Sequence, residues 1–302
     1  MSDPTPSVIL LDGGMGQELR RRSSYPASPL WSAQVMLDEP HLVTAAHRDF
    51  IAVGADIITL NNYSATPQRL ARDGDPALFS TLHQAALAAA MQARDESGRK
   101  VLIAGCLPPL VASYHHALVP DDATCLHSYR QLVEAQAGVD LFVCETMSLT
   151  REALAATTAG VERQMRVWVA FTVDDGDGTR LRSGESLVEA AHAVAAAGAE
   201  KILVNCSVPE AVTTAMGELA ETGIAFGGFA NGFKSVGGLK AGGTVDALKA
   251  REDLSPETYA GIALQWAAQG AEVVGGCCEV GPAHIEALAK RLSDAGYRRL
   301  SP

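Results

Sequence analysis

The sequence Ala-Glu-Val-Val-Gly-Gly-Cys-Cys, residues 271–278, contains the most informative feature of the chain, a pair of adjacent cysteines. Val273-Val274 has the character of the end of a buried strand, and the two glycines after it favour a tight bend in which backbone approaches another group closely. Cys277 and Cys278 therefore follow the end of a strand. A third cysteine, Cys206, ends the earlier apolar run Lys-Ile-Leu-Val-Asn-Cys. Three thiols at the ends of two strands predict a site for a soft metal ion, with one coordination position open.

Length and composition are those of an ordinary globular enzyme. The 302 residues are enough for one large α/β domain or two smaller ones, and 47% of them are hydrophobic and 20% charged. The formal net charge is −11, and the only tight cationic run is Arg20–Arg22. Because phosphate binding depends on clustered Lys and Arg, we expect no nucleic-acid partner.

The sequence contains no segment that approaches the ~20 apolar residues of a membrane span. Its polar start, Met-Ser-Asp-Pro-Thr-Pro-Ser, lacks the apolar core of a signal peptide. We therefore expect a cytoplasmic protein without a membrane partner. Thiols stay reduced in that compartment, so we do not expect the six cysteines to form a disulfide framework.

Short apolar strands alternate with alanine-rich amphipathic stretches along the chain. The pattern predicts eight strands, at Val8–Asp12, Asp56–Asn61, Val101–Leu107, Leu141–Glu145, Val167–Val173, Lys201–Cys206, Ile224–Asn231 and Glu272–Cys277. Predicted helices between them include His41–Val53, Pro76–Glu96, Thr124–Gly138, Leu149–Val161, Ser186–Ala197 and Pro256–Gln269. Eight such units predict an α/β fold, a (β/α)8 TIM barrel in a single domain over residues 1–302. The alternative is a doubly wound open sheet, which usually carries a complete glycine-rich phosphate loop after its first strand.

Two long segments interrupt this alternation. Residues 17–40 contain three prolines and are expected to form a loop, with no helix beginning directly after strand one. Residues 232–254 are rich in Gly and Lys and have no clear periodicity. Loops of this length within a compact domain are usually functional covers or mobile segments. We therefore predict long loops after strands 1 and 7, with Trp31 and residues 23–29 as candidates for covering the mouth of the barrel.

Polar residues occur at the carboxyl ends of the predicted strands, where a barrel builds its chemistry. Asp12 ends strand one, Tyr63 follows strand two, Glu145 ends strand four and Asn231 ends strand seven. Each position also has an ordinary structural interpretation. These are a turn for Asp12 and for the Asn-Gly at 231, a salt bridge or helix N-terminal charge for Glu145, and a buried aromatic position for Tyr63.

The chemistry of three clustered thiolates favours a bound cation. Such thiolates repel one another, so some must stay protonated unless a cation neutralises them. Zinc binds thiolate sulfur at ~2.3 Å, and three protein ligands leave one tetrahedral position free, as in catalytic zinc sites. A site with three thiolates is a weak Lewis acid, but it can hold a fourth thiolate that stays nucleophilic. The alternative is that these cysteines are core residues, because free cysteine is among the most buried residue types.

Four motifs resemble those of the homocysteine S-methyltransferase family. They are Leu-Asp-Gly-Gly-Met-Gly at residues 11–16, Glu-Thr at 145–146, Asn-Cys at 205–206 and Gly-Gly-Cys-Cys at 275–278. The resemblance extends over nearly the whole chain, from strand one to the helix after strand eight. It implies a zinc-dependent (β/α)8 barrel.

The resemblance also implies roles for individual residues. The zinc ligands would be Cys206, Cys277 and Cys278, and the sulfur of homocysteine would be a further ligand. Asp12 and Glu145 would hold the amino group of homocysteine. This agrees with charge complementarity, because an ammonium group binds carboxylates.

Two strand ends depart from the family pattern. Asn231-Gly232 resembles part of a Pro-Asn-Ser-Gly segment whose asparagine approaches the metal when substrate is absent, but the proline and serine are missing here. An Asn-Gly turn therefore remains an equal alternative. Asn61-Asn62-Tyr63 departs from the usual Thr-Asn-Thr-aromatic pattern. Tyr63 is expected to line the site and face a cationic methyl donor, with a buried structural position as the alternative.

The implied activity is transfer of a methyl group from a small sulfonium donor to the thiol of homocysteine, a step of methionine biosynthesis. The methyl donor would be S-methylmethionine or S-adenosylmethionine. Within the family, selenocysteine as acceptor and betaine as methyl donor are the alternatives. In other classes, a zinc hydrolase would use histidine and carboxylate ligands, and a zinc or thiol store would have no activity. The expected partners are small-molecule substrates.

Overall fold

The computed structural model describes residues 6–26, 28–243 and 248–299, in which parallel strands alternate with helices. The strands are β1 (Ser7–Leu10), β2 (Ile57–Thr59), β3 (Leu102–Leu107), β4 (Leu141–Met147), β5 (Val167–Phe171), β6 (Lys201–Asn205), β7 (Phe226–Phe229), β8 (Val273–Val274) and β9 (Arg298–Arg299). The α-helices are α1 (Met15–Arg22), α2 (Ser32–Asp38), α3 (Pro40–Ala52), α4 (Pro67–Asp73), α5 (Phe79–Ser97), α6 (Asp122–Ala135), α7 (Thr150–Val161), α8 (Leu187–Ala196), α9 (Pro209–Ala220), α10 (Pro256–Ala268) and α11 (Pro282–Asp294).

The strands form one curled parallel sheet in the order β2-β3-β4-β5-β6-β7-β8-β1-β9. Hydrogen bonds also connect β1 with β2, at the other end of this order. A parallel bridge joins Leu11 to Ile57, and the amide of Asp56 donates to the carbonyl of Leu10 at 2.8 Å. The fold is therefore α/β, with a curled parallel sheet.

Side chains on each strand alternate between two buried layers. In β5, Val167 and Val169 belong to the layer packed against the helices, whereas Trp168 and Ala170 belong to the inner layer. Both layers exclude water, which explains why the strands are continuous apolar runs in the sequence. The inner layer comprises Ile9, Leu11, Ile57, Ala104, Leu141, Val143, Trp168, Ala170, Leu203, Phe229 and Val273. No helix among the described residues is both long and apolar enough to cross a membrane.

The expectation of a loop over residues 17–40 is wrong, because α1 and α2 lie in this region. In α1, Glu18 forms ion pairs with Arg21 at 2.8 Å and Arg22 at 2.6 Å, and such pairs stabilise a helix. The first two prolines fall between the two helices, and Pro40 is the first residue of α3, where proline is tolerated. The prolines thus lie between helices or at the first residue of a helix, where they are compatible with helix formation.

Two further elements differ from the expectation. The predicted helix Pro76–Glu96 is divided into a 3₁₀ turn, Pro76–Leu78, and α5, and the carboxylate of Asp75 caps the turn at the amide of Ala77. Strand β9 was not predicted, since it has only two residues and both are arginines. The described parts of residues 232–254 contain neither helix nor strand, only an isolated bridge between Phe233 and Ala250.

Asp56 connects three strands, and its removal should destabilise the sheet. Its carboxylate accepts hydrogen bonds from the amide of Leu10 at 2.9 Å and from Arg299 Nη2 at 2.8 Å. In Asp56→Ala both partners lose their acceptor in a largely buried site, so we expect the free energy of unfolding to fall by about 2–4 kcal/mol. Urea denaturation measures this loss. Asp95→Ala is the control, because Asp95 is exposed and should change stability by less than ~0.5 kcal/mol. An unfolding free energy equal to wild type for Asp56→Ala would contradict this role.

Candidate functional site

Three cysteine thiols meet at the carboxyl ends of β6 and β8. The Sγ atoms of Cys206, Cys277 and Cys278 all lie within 4.8 Å of one another. Cys206 and Cys277 have Cα atoms 5.9 Å apart and are joined as a disulfide, whereas Cys278 is a free thiol. The disulfide departs from the expectation of six reduced cysteines, because the fold brings together thiols that are 71 residues apart. The same backbone therefore suits a sulfur–sulfur bond or, after reduction, a trio of thiols around one point.

A glycine bend after β8 lets two adjacent cysteines face the same partner. Consecutive side chains of a regular strand point to opposite faces, so an unbroken strand would separate them. The strand instead ends before Gly275 and Gly276. A Cβ atom on Gly276 would lie 2.1 Å from Cγ1 of Val280, so only glycine fits there. The amide of Cys277 donates to the carbonyl of Ala230 at 3.0 Å, which fixes the bend to the end of β7.

Cys206 has a backbone φ of 49°, in the left-handed region that residues other than glycine rarely adopt. Hydrogen bonds hold the turn around it. The hydroxyl of Thr172 donates to the Cys206 carbonyl at 3.3 Å, and the hydroxyl of Ser207 accepts from the amide of Val173 at 2.9 Å. Such strained residues persist where the surrounding structure over-determines them, and they concentrate at functional sites.

Asp12 and Glu145 lie in the same pocket as the cysteines. Burial raises the pKa of Asp12 to about 7, a rise that hydrogen bonds from the amide and hydroxyl of Thr59 oppose. Burial also raises the pKa of Glu145 to about 8, with the charge of Asp12 adding to the rise and a hydrogen bond from Cys106 opposing it. Because each carboxylate disfavours ionisation of the other, a cation such as an ammonium group would stabilise both.

Tyr63 lines the pocket close to Glu145. Its hydroxyl and that of Ser113 are 2.8 Å apart, and the Arg69 guanidinium lies 5.1 Å from the centre of its ring. The ring of Trp31 runs parallel to the Tyr63 ring, with the two centroids 6.2 Å apart. Tyr63 is thus held by neighbours and still reaches the pocket.

Asn231 is fully buried but is not among the described residues that line the pocket. Its Oδ1 atom accepts a hydrogen bond from the amide of Phe233 at 3.0 Å, the arrangement of an Asn turn. Its Nδ2 atom has no hydrogen-bond partner among the described residues. The turn therefore uses one of the two acceptor positions of the Oδ1 oxygen.

Gln17 and Tyr114 line the pocket but were not singled out from the sequence. Gln17 is buried on α1, where its side chain hydrogen-bonds the thiol of Cys278 and its Oε1 has no partner among the described residues. Tyr114 has a φ of 68°, and its ring lies 5.0 Å from the Arg182 guanidinium. A helix assignment for residues 15–22 would have pointed to Gln17. The sequence carries no comparable signal for Tyr114, which sits in the connection after β3.

The segments after β1 and β7 meet across the mouth of the pocket. The indole of Trp31 donates to the carbonyl of Gly243 at 2.9 Å. The imidazole of His115 contacts the carbonyl of Leu239 at 2.8 Å, and Leu239 itself lines the pocket together with Phe233. Residues from the connections after β1, β3 and β7 therefore contact one another at the pocket that contains the three cysteines and the two carboxyl groups.

The family model for homocysteine S-methyltransferase matches residues 9–292, most of the chain. The chain belongs to the homocysteine S-methyltransferase family. All the motifs on which the sequence resemblance rested fall within the matched residues. The three cysteines and the two carboxyl residues of the pocket also lie within this match.

Individual relatives of this family member match over nearly their whole length. The homocysteine S-methyltransferase of Escherichia coli is 32% identical, over 94% of this chain and 95% of the relative. A selenocysteine methyltransferase of Astragalus bisulcatus is 27% identical, over 95% of this chain and 94% of the relative. Among solved structures, the metallated form of the homocysteine methyltransferase MmuM from Escherichia coli superposes with a TM-score of 0.78 at 28% identity, covering 94% of this chain and 96% of that chain. Its oxidised form gives a TM-score of 0.76 at 27% identity, with the same coverage.

The raised pKa values of Asp12 and Glu145 should make the stability of the metal-free protein depend on pH. Folding raises each pKa, so the folded state binds these protons more tightly. The resulting stability is lost as the pH rises from the ordinary values of 3.8 and 4.5 through about 7 for Asp12 and about 8 for Glu145. Glu145→Gln removes one of these groups, so the variant should gain stability relative to wild type between about pH 5 and about pH 9.

Urea denaturation of both proteins at several pH values measures this difference. Glu218→Gln serves as the control, because Glu218 is exposed on α9 and far from the pocket lining. Its stability should differ from wild type by the same amount at every pH. A pH-independent difference for Glu145→Gln as well would show that burial does not govern the titration of Glu145.

Proposed function

We propose that this chain transfers a methyl group from a small sulfonium compound to the thiol of homocysteine, giving methionine, with zinc bound by Cys206, Cys277 and Cys278. The observation that carries the proposal is the meeting of three sulfur atoms and two carboxyl groups in one covered pocket. The names and structures of the family relatives support the reaction type.

The residues present fit a zinc ion. Sulfur ligands suit zinc, and a group of three leaves one position for a further ligand. Burial raises the pKa of the Cys278 thiol to about 12, so its thiolate is disfavoured in the absence of a cation. Reduction of the disulfide between Cys206 and Cys277 is a requirement of the proposal, since zinc binds thiolates. The metallated form of the structural relative supports metal binding at this fold.

Asp12 and Glu145 are proposed to bind the ammonium group of homocysteine. The charge of the ammonium group would favour ionisation of both carboxyl groups, whose pKa values burial has raised. The acceptor would thereby be fixed at its amino end, with its sulfur directed toward the three cysteines. Zinc, when bound, supplies positive charge that lowers the pKa of the acceptor thiol. The hydrogen bond between the amide group of Gln17 and the sulfur of Cys278 supports the position of that cysteine.

The methyl donor is proposed to enter beneath the cover formed by Trp31, Phe233 and Leu239. This enclosure favours a small donor, S-methylmethionine or S-adenosylmethionine, and Tyr63 is proposed to contact it. The match to a selenocysteine methyltransferase supports selenocysteine as an alternative acceptor. Asn231 is a weaker candidate for a metal ligand, because its Oδ1 atom already accepts a hydrogen bond from the amide of Phe233.

The proposal includes the finer architecture. We propose that β1 to β8 and the helices between them form a (β/α)8 barrel in one domain over residues 1–302, with long connections after strands 1 and 7. The hydrogen bonds between β1 and β2 and the parallel strand order support it. A cytoplasmic location, where the thiols stay reduced, suits the same chemistry.

A hydrolase that uses histidine ligands is less well supported. Among the described residues that line the pocket there is no histidine, although such enzymes usually bind zinc through histidine and carboxylate ligands. A non-catalytic zinc store does not account for the acidic residues Asp12 and Glu145 or for the covered pocket beside the metal site. These two classes therefore predict no thiol-dependent methyl transfer, whereas the proposed function requires it.

Replacement of single cysteines should abolish both metal binding and activity. We expect about one zinc per chain in the reduced wild-type protein and much less in Cys206→Ser, Cys277→Ser and Cys278→Ser, since each loses a ligand. Methyl transfer to homocysteine should fall by at least ~100-fold, the upper range for loss of residues that only support a ligand. Metal analysis and methionine formation with several sulfonium donors measure both effects. Cys125→Ala is the matched control, because Cys125 is buried on α6 outside the pocket. Full activity in the metal-depleted variants would overturn the proposal.

A further inference from the structure

Arg69 is a buried cation that contacts two residues of the pocket lining, Tyr63 and Ser113. Only 5% of its surface is exposed. Its Nη2 atom donates to the carbonyl of Pro109 at 3.1 Å and to the hydroxyl of Ser113 at 3.4 Å, and its Nε also donates to Pro109. Among the residues that the structure describes, no carboxylate forms an ion pair with it. Burial of a charge without a direct counter-ion is costly, so the position of this guanidinium requires an explanation.

The acidic residue Glu152 offsets this charge only in part. It acts on Arg69 at longer range, without an ion pair. Its Oε1 atom accepts hydrogen bonds from the amide of Leu110 at 3.0 Å and the hydroxyl of Tyr129 at 3.2 Å, and its Oε2 atom has no hydrogen-bond partner among the described residues. Because neither oxygen of Glu152 bonds to the guanidinium, the contacts of Arg69 toward the pocket are the hydroxyl of Ser113 and the ring of Tyr63.

Three hydroxyl groups lie between this cation and the pocket. Tyr63 and Ser113 share a hydrogen bond at 2.8 Å, and the hydroxyl of Thr146 also interacts with that of Tyr63. Both ends of the group receive hydrogen bonds from groups that can only donate them. Arg69 donates to Ser113, and the Nδ2 atom of Asn205 donates to Thr146 Oγ1 at 3.1 Å.

A count of hydrogens shows that the group has a hydrogen to spare. Three hydroxyl groups carry three hydrogens, and the two bonds among them use two. Because the ends accept hydrogen bonds from Arg69 and Asn205, the third hydrogen has no use inside the group. Tyr63 has a single hydrogen, so the two bonds can be directed in three ways, and two of these leave the spare hydrogen on Tyr63 or Ser113. Both residues line the pocket, so an acceptor bound there can receive this hydrogen.

We propose that Tyr63 and Ser113, supported by Arg69, form a subsite for the carboxylate of an amino-acid substrate. A carboxylate accepts the spare hydrogen bond and supplies the negative charge that the buried guanidinium lacks. The acidic pair Asp12 and Glu145 lies in the same pocket, so the pocket has complementary groups for both charges of an amino acid. The assignment of this ligand as an amino-acid substrate of methyl transfer rests on the proposed function. The carboxylate belongs either to homocysteine or to the methyl donor.

Binding of two related ligands tests the subsite directly. L-Methionine and L-methioninamide differ in the carboxylate, and both carry an ammonium group at mildly acidic pH. Titration calorimetry on reduced, zinc-loaded wild-type protein should show a preference of about 10- to 100-fold for methionine, the range for a hydrogen bond to a charged group. In Arg69→Met and Ser113→Ala the preference should fall to within about threefold. Tyr63→Phe should reduce it as well, because the variant loses one hydroxyl.

Arg72→Met is the matched control. Arg72 lies on the same helix and donates to the carbonyl of Val111 in the same connection after β3, but it contacts neither Tyr63 nor Ser113. This variant should keep the wild-type preference. Thermal unfolding of each variant checks that it is folded, and Ser113→Ala, which removes a single oxygen, is the variant least able to disturb the fold.

The outcomes separate the subsite from the proposed reaction. The subsite would be overturned if the wild-type protein bound methionine no more tightly than methioninamide. It would also be overturned if Arg69→Met and Ser113→Ala weakened the binding of both ligands equally, because these residues would then have a purely structural role. If the preference for methionine is present in wild type and lost in these variants, the subsite is supported, whether or not methyl transfer is observed. Absence of methyl transfer from every sulfonium compound would contradict only the proposed function. If transfer occurs, the amides of homocysteine and of S-methylmethionine show which substrate supplies the carboxylate. The wild-type protein should discriminate against one amide, and Arg69→Met should lose that discrimination.

Discussion

Repulsion between closely spaced sulfur anions is the constraint on which the site depends. Three Sγ atoms within 4.8 Å of one another can lose their protons together only if a cation neutralises them. Otherwise they stay protonated or two of them form a bond, as Cys206 and Cys277 do here. The left-handed turn at Cys206 and the glycine bend before Cys277 serve this arrangement, since an ordinary strand end at either place would separate the thiols.

The charges around the sulfur atoms fit an amino acid. Asp12 and Glu145 are held at raised pKa values by burial, so they favour a positively charged ligand. Arg69 is buried without an ion-pair partner among the described residues and favours a negative one. Asp12 and Glu145 line the pocket, whereas Arg69 acts on it through Ser113 and Tyr63, which also line it. Trp31 and Leu239 belong to the same lining. Exclusion of water strengthens each of these interactions, because the effective dielectric constant falls.

The sequence was sufficient to predict strands β1 to β8 and the residues at their ends. Apolar runs identify buried parallel strands, and parallel strands bring their carboxyl ends to one edge, which explains why Cys206, Cys277, Asp12 and Glu145 could be grouped in advance. Helix α1 was missed because glycine and proline around it suggested a loop, whereas its stability comes from local ion pairs and tertiary packing.

Other features depend on contacts that no local pattern encodes. Arg69 resembles any helical arginine in the sequence, and only the fold shows that it is buried in contact with the ring of Tyr63. The Asn-Gly at 231 was open to two interpretations, and the hydrogen bond from Phe233 fits the turn. Contact between Trp31 and Gly243 joins segments more than two hundred residues apart, a pairing that periodicity cannot reveal.

X-ray absorption at the zinc edge tests the central claim most directly. The reduced, zinc-loaded protein should show three sulfur ligands at ~2.3 Å and one lighter ligand, and addition of homocysteine should replace the lighter ligand by a fourth sulfur. Fewer than three sulfur ligands before addition, or a spectrum that homocysteine leaves unchanged, would contradict the account.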